Sequence, residues 1–214
     1  WGYFTLGYLV EKITGKSYAD LMKEEIFIPL KMEHSGSYHH MQVVPSRATG
    51  YDYSFGGFTS SDFRDQSNTM GTGDLYSTVE DMFAFHLAIA NNKLLNKQLT
   101  NEMLSPGMPP AKYGYGWFNQ NFKYTPTDSV TANYHLGMTE GFISFALRVP
   151  STNSFVVILC NSSPTDFFGI IKNLLKVLYD KPVVLKQPVH KKMETNIAQL
   201  GALKAVAEYQ KMKA

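Results

Sequence analysis

A single cysteine, Cys160, is the first scarcity in this chain of 214 residues. It excludes an intramolecular disulfide and any cysteine-built zinc site. Set in the run FVVILC, it reads as a small buried hydrophobe. Charge of one sign is scarce too. Twenty Lys and Arg against 18 Asp and Glu leave a formal net charge of +2, too little to single out nucleic acid or an acidic partner. No apolar run approaches the roughly 18 residues that a membrane-spanning helix needs. Internal repeats and low-complexity tracts are missing, which excludes solenoids and fibrous arrays. What is present is 44% hydrophobic residues, with 13 Tyr and 14 Phe, enough for a sizeable globular core.

Periodicity starts at the first residues. Tyr3, Leu6, Val10 and Ile13 fall near one face of a helix over 2–14, and Gly15 stands where a C-terminal cap belongs. Because this pattern opens at Trp1, the chain is expected to begin inside a folded unit, with any leader sequence upstream. Ser17 caps a second helix that Pro29 should stop near Phe27. Residues 31–76 are rich in turn formers and read as irregular. Ser77-Thr78-Val79-Glu80 has the form of a capping box, opening a helix that ends near Asn91-Asn92; a shorter helix follows over 97–104.

The pattern then changes to strands. Residues 113–118, 131–136, 141–149 and 154–161 read as strands of an antiparallel meander, with turns at Gly137 to Glu140 and Pro150 to Asn153. A helix over 165–179 presents Phe168, Ile171, Leu174, Leu175 and Leu178, and Pro182 ends it. The lysine-rich remainder reads as a linker and a tail helix over about 193–209. The expected class is therefore α+β, of the α/β-sandwich type: an antiparallel sheet flanked by helices, plus a helical subdomain. Its parts are a helical and loop-rich region (1–112), the strands with their closing helix (113–180) and the tail (181–214).

Few residues suggest chemistry on their own. Thr14-Gly15-Lys16-Ser17 contains GKS, but Val10 stands where a phosphate-binding loop needs its first glycine. His39 and His40 are adjacent rather than spaced to share a helix face, so no metal site is assigned. His86, amid apolar neighbours in a helix, reads as a satisfied, partly buried histidine. No cofactor is expected.

The segment HLGMTEGF (135–142) differs: it places an imidazole beside bare backbone between two strands. It is one of several pieces in a fixed order. The others are GYFTLGYLVEKITGKSYADLMKEEIFIPLKM, RATGY (47–51), GTGDLYSTVEDM (71–82), YGYGWF (113–118) and FVVILCNSS (155–163). Together they resemble the serine beta-lactamase-like family, which includes class C beta-lactamases, D-alanyl-D-alanine carboxypeptidases and related esterases. The resemblance covers roughly residues 1–180.

That resemblance implies three elements around one pocket. They are Ser-x-x-Lys at a helix start, Tyr-x-Asn or Ser-x-Asn on a loop, and Lys-Thr-Gly or His-x-Gly on a sheet edge. His135-Leu136-Gly137 matches the third. By resemblance, His135 offers hydrogen bonds or, when protonated, charge; Gly137 lets an acyl group approach the strand; and the Met138 N–H is one oxyanion donor. Leu136 and Thr139 are expected beside the substrate. Leu136 stands where many relatives carry a hydroxyl, and Met138 where many carry glycine. Both departures lean away from a specific beta-lactamase and toward an esterase or peptidase, and the Met138 side chain is expected to narrow the pocket.

No serine here is followed by lysine at the third position, and no Tyr-x-Asn occurs. Ser151-Thr152-Asn153 matches Ser-x-Asn only in letters, in a hairpin turn. The resemblance therefore implies a C-terminal part of a serine hydrolase, incomplete at the N-terminus and inactive alone. Its partners would be a small-molecule or peptide substrate, the missing upstream segment of the same protein and, in some settings, further copies of itself. The alternative is a non-catalytic module binding peptides or cell-wall fragments. Export to the periplasm or cell envelope is expected by resemblance. Loops 36–70 and 105–130 are expected to set specificity.

Overall fold

The computed structural model describes residues 1–183 except 40, 55–56, 108–109, 111 and 163–165, together with 198–199, 201 and 204. The chain divides into two compact units, Trp1–Thr165 and Asp166–Ala214.

In the first unit, helix α1 (Gly2–Thr14) closes on Gly15, whose N–H bonds the Glu11 carbonyl. The stripe expected to turn inward does not. Gly7 is the buried residue, and a Cβ built there would already touch the Met70 side chain, while Leu6 and Ile13 remain exposed. A residue without a side chain allows the closer approach, so α1 meets its unit through Gly7. Helix α2 (Tyr18–Met22) starts at Ser17, whose Oγ accepts from the Asp20 N–H. Pro29 does not stop the chain at Phe27. A π turn over Lys23–Phe27 leads into α3 (Ile28–Leu30). The wider turn accommodates a ring that lacks an N–H and crowds the carbonyl four residues back.

The irregular region holds two short antiparallel ladders. Strand β1 (Gly36–Ser37) pairs with β4 (Leu75–Tyr76), and β2 (Tyr51–Ser54) pairs with β3 (Gly57–Ser60). Buried carboxylates pin it. Asp74 accepts from the Gly71 N–H at 2.8 Å and from the Ser37 hydroxyl. Asp81 accepts from the His34 N–H at 2.9 Å and the Ser35 hydroxyl at 2.7 Å. Helix α4 (Val79–Ala90) is capped by Thr78, one residue later than the Ser77 capping box predicts. The Ser77 hydroxyl pairs with Ser35 at 2.7 Å, and Thr78 accepts from the Asp81 N–H. Helix α5 (Lys97–Leu104) follows the sequence pattern, with Asn96 accepting from the Leu99 N–H.

The main sheet runs β5 (Phe118–Lys123), β6 (Ser129–Thr139), β7 (Phe142–Val149), β8 (Ser154–Cys160), in that spatial order and antiparallel throughout. Two expectations change. Residues 113–117 are a turn rather than a strand. The Gly114 N–H bonds the Trp117 carbonyl at 2.7 Å and the Tyr115 N–H bonds Met103 at 3.1 Å, folding the segment against the end of α5. Strand β6 also runs on through Thr139, so its turn is only Glu140-Gly141. On one face of the sheet Ala146 and Phe155 pack with Ile89, Met82 and Phe85 of α4, Met103 of α5, and Trp117. On the other, Tyr134 stacks on Phe145 at 5.5 Å, and Phe145, Leu147 and Val149 are fully buried. Each such side chain contributes about 1.5–3 kcal/mol of burial. Cys160 is only half-buried, its thiol donating to the Ser162 carbonyl.

In the second unit, α6 (Phe167–Leu178) is capped by Asp166, which accepts from the Gly169 N–H. Ile171 and Leu175 are buried, whereas Phe168, Leu174 and Leu178 are more than a third exposed. The tail helix expected over 193–209 falls outside the described residues, apart from 198–199, 201 and 204. With helices beside antiparallel ladders, the class is α+β.

Candidate active site

His135 follows Tyr134, the residue at which the pairing of β6 with β5 ends. Beyond that point β6 has a strand partner on one side only among the described residues. The Thr139–Phe142 pair closes a two-residue turn and must exchange both its hydrogen bonds across the hairpin. Alternation then directs the N–H and C=O of Met138, and of Leu136, away from β7 and toward the open edge.

The same alternation separates the side chains. His135, Gly137 and Thr139 lie on one face of β6, and Leu136 and Met138 on the other. The Met138 side chain therefore projects away from the His135 face rather than narrowing it, and is 69% exposed. A Cβ at Gly137 would collide with the Ser144 hydroxyl of the paired strand. Thr139 is already engaged: its hydroxyl accepts from Gln66 at 3.2 Å and donates to Glu140 at 2.6 Å, and Glu140 pairs with Arg64. The second glycine of HLGMTEGF serves the fold. Gly141 lies at φ 70°, and a Cβ there would stand 2.7 Å from the Gly50 and Tyr51 backbone.

His135 opens onto a cleft of about 920 Å³, also lined by Tyr3, Tyr113, Phe118, Glu102 and Ser105. Its Nε2 lies 2.9 Å from the Tyr113 hydroxyl, which lies 2.8 Å from the Tyr3 hydroxyl. The Phe118 ring stacks beside the imidazole at 6.0 Å. Burial holds His135 below the ordinary histidine range, with a hydrogen bond to the Leu136 backbone opposing in part. Burial, then the bond to Tyr3, pushes the Tyr113 phenol well above its ordinary value. Both shifts favour the uncharged imidazole and the uncharged Tyr113 phenol. Sequence reasoning missed Tyr3 and Tyr113 as site residues. Tyr113 begins the quoted YGYGWF, whereas Tyr3 looks like one more apolar helix position.

The other histidines stand apart. His86 is buried, accepts from Arg148 Nε at 3.1 Å and stacks on Phe155 at 4.5 Å, as a satisfied core residue does. His40 lies outside the described residues. Among the described residues no three metal-ligating side chains converge.

Comparison with known families finds that residues 1–181 match the Beta-lactamase family. The chain belongs to the beta-lactamase family. It is 30% identical to the putative penicillin-binding protein PbpX of Bacillus subtilis over 179 residues, 84% of this chain and 43% of that protein. It is 33% identical to a teichoic acid D-alanine hydrolase of Staphylococcus aureus over 121 residues, 54% of this chain and 30% of that one. The fold matches the octameric penicillin-binding protein homologue of Pyrococcus abyssi with a TM-score of 0.72 at 22% identity, over 90% of this chain and 45% of that one. The chain thus spans less than half the length of these curated relatives. No helix among the described residues is long and apolar enough to cross a membrane.

Proposed function

We propose that this chain is the sheet-bearing part of a serine hydrolase that cleaves amide or ester bonds through an acyl-serine intermediate. The Ser-x-x-Lys and Tyr-x-Asn elements come from an upstream segment of the same protein, and the chain alone is inactive. One observation carries the reading: His135 lines an open cleft at the point where β6 loses its β5 partner, with the Met138 N–H aimed at that free edge.

An acyl group laid along this edge places its carbonyl oxygen against the Met138 N–H. That donor is worth about 3–4 kcal/mol as negative charge develops there. Gly137 adds no side chain on the His135 face, and the neutral imidazole supplies hydrogen bonding rather than fixed charge. Leu136 and Thr139 flank the acyl position, and Thr139 reaches it only by releasing Glu140. The exposed Leu6, Leu9 and Ile13 of α1 give the upstream segment an apolar surface to cover. The activity for which the staphylococcal relative is named points to D-alanyl esters as the first substrates to try. The names of the relatives also support a place at the cell envelope, and the octameric homologue supports self-assembly as a property to measure.

The test is labelling with a serine-reactive fluorophosphonate or a penicillin probe. The purified 214-residue chain should remain unlabelled. Co-expression with the upstream segment should give a labelled serine on that segment and turnover of D-alanyl esters. Labelling of the chain by itself refutes the proposal. A stable complex that binds cell-wall peptides but is never acylated points instead to a non-catalytic module.

A further inference from the structure

We infer that the cleft beside His135 selects acyl groups carrying a free ammonium, with Glu102 as the counter-charge and aromatic rings as the walls; this rests on the acyl-transfer reading above and narrows its substrates to aminoacyl esters and amides. Charge on the lining is one-sided. Among the described residues that line the cleft, Glu102 is the one acid, and neither Lys nor Arg stands beside it. Its carboxylate forms no ion pair among the described residues. It accepts from the Tyr115 hydroxyl at 3.3 Å, a long bond that leaves most of its acceptor capacity open.

The rings supply the rest. Tyr3, Tyr113, Tyr115 and Phe118 line the same cleft. Tyr113 and Phe118 meet at 4.7 Å with their planes 72° apart, so they make a corner rather than a flat wall. Tyr115 is 69% exposed and Tyr3 44%, so neither ring is used up in the core. The face of an aromatic ring is negative and attracts a cation lying within about 6 Å of its centre. Aromatic walls with one carboxylate and no fixed cation are the chemistry that holds an ammonium. A substrate carboxylate would meet like charge there and no opposite one.

The fold ties this counter-charge to the reacting end. Tyr113 reaches His135 Nε2 at 2.9 Å, and two residues on Tyr115 reaches Glu102. Between them Gly114 sits so close to the end of α5 that a Cβ would stand 2.5 Å from the Met103 and Ser105 carbonyls. The 113–117 turn is thereby seated on the helix that carries Glu102. Ser105, the neighbouring polar side chain of the lining, already donates its hydroxyl to the Asn101 carbonyl at 2.6 Å. That leaves Glu102 to meet the amine of an acyl group held at the Met138 N–H.

The test compares three small methyl esters at about pH 6.5, where an α-amine is charged. D-alanine methyl ester carries an ammonium, methyl lactate a hydroxyl in its place, and monomethyl malonate a carboxylate. Binding to the ¹⁵N-labelled chain is followed through the amide resonances of residues 114–116. D-alanine methyl ester should bind about 10-fold more tightly than methyl lactate, and monomethyl malonate more weakly than either. Glu102→Gln keeps the size and an acceptor for Tyr115 but removes the charge, and should abolish most of that preference. The absence of a preference for the ammonium in the wild type, or a preference unchanged in Glu102→Gln, overturns the inference. In the complex with the upstream segment, the same variant should lower kcat/KM for D-alanine methyl ester and leave that for methyl lactate unchanged. Selective binding without turnover removes the acyl-transfer reading while the ammonium site stands. Turnover without selectivity does the reverse.

Discussion

Acidification should weaken this fold well above the range in which carboxylates titrate, and the cause is the buried pair His86–Arg148. His86 is 2% exposed and Arg148 5%. Arg148 Nε donates to His86 Nδ1, and its Nη1 is buried without a hydrogen-bond partner among the described residues. Burial first, and the neighbouring guanidinium second, lower the His86 pKa from 6.5 to about 4. The folded chain keeps this ring neutral, while the unfolded chain protonates it below about 6.5. Between those values the unfolded state binds more protons, so stability falls as pH falls, and the loss is complete below about 4. The full displacement corresponds to about 3 kcal/mol, most of which develops by pH 4.5. A domain with about 5–15 kcal/mol in hand registers that clearly. His135 is shifted in the same direction and adds to the slope, whereas the lowered Glu140, held down chiefly by its Thr139 bond, acts only at lower pH. Urea denaturation at steps from pH 7.5 to 4.5 measures the slope. His86→Gln keeps an acceptor for Arg148 without a titrating group and should leave only the smaller His135 contribution. A slope identical in wild type and His86→Gln would refute the reasoning.

Asp81→Ala strips the acceptor from the His34 N–H and the Ser35 hydroxyl and should cost about 3–4 kcal/mol, with Asp81→Asn milder; urea midpoints decide it. Gly141→Ala forces a left-handed conformation on a residue with a Cβ and drives that Cβ into the Gly50–Tyr51 backbone. About 2–4 kcal/mol should be lost, together with amide protection in β6 and β7 by hydrogen exchange. Gly137→Val should leave α4 and the sheet folded by circular dichroism. In the reconstituted complex it should cut probe acylation by 10-fold or more, roughly 1.4 kcal/mol, because the added side chain meets Ser144 and fills the approach to His135.

How much the sequence foretold depends on whether the deciding contact was local. The ends of α1 and α4 were legible because their stop signals, Gly15 and Asn91, act within one turn. The cap at Thr78 was not, since Ser77 pairs with Ser35, 42 residues away. Strand spacing gave β7 and β8 nearly to the residue. The 113–117 turn was hidden because its bonds go back to Met103 at the end of α5.

The site divides along the same line. His135 and its glycines sit in one octapeptide and could be found by reading along the chain. Tyr3, 110 residues before Tyr113, could be found only by folding it. The same distinction separates the two glycines. Gly137 and Gly141 look alike as bare backbone beside a histidine, yet one meets a single hydroxyl and the other a neighbouring main chain. A side chain added at Gly141 must move backbone, whereas one added at Gly137 must move only Ser144. Damage at Gly141 should therefore register as lost stability, and damage at Gly137 as lost reactivity with the stability nearly intact.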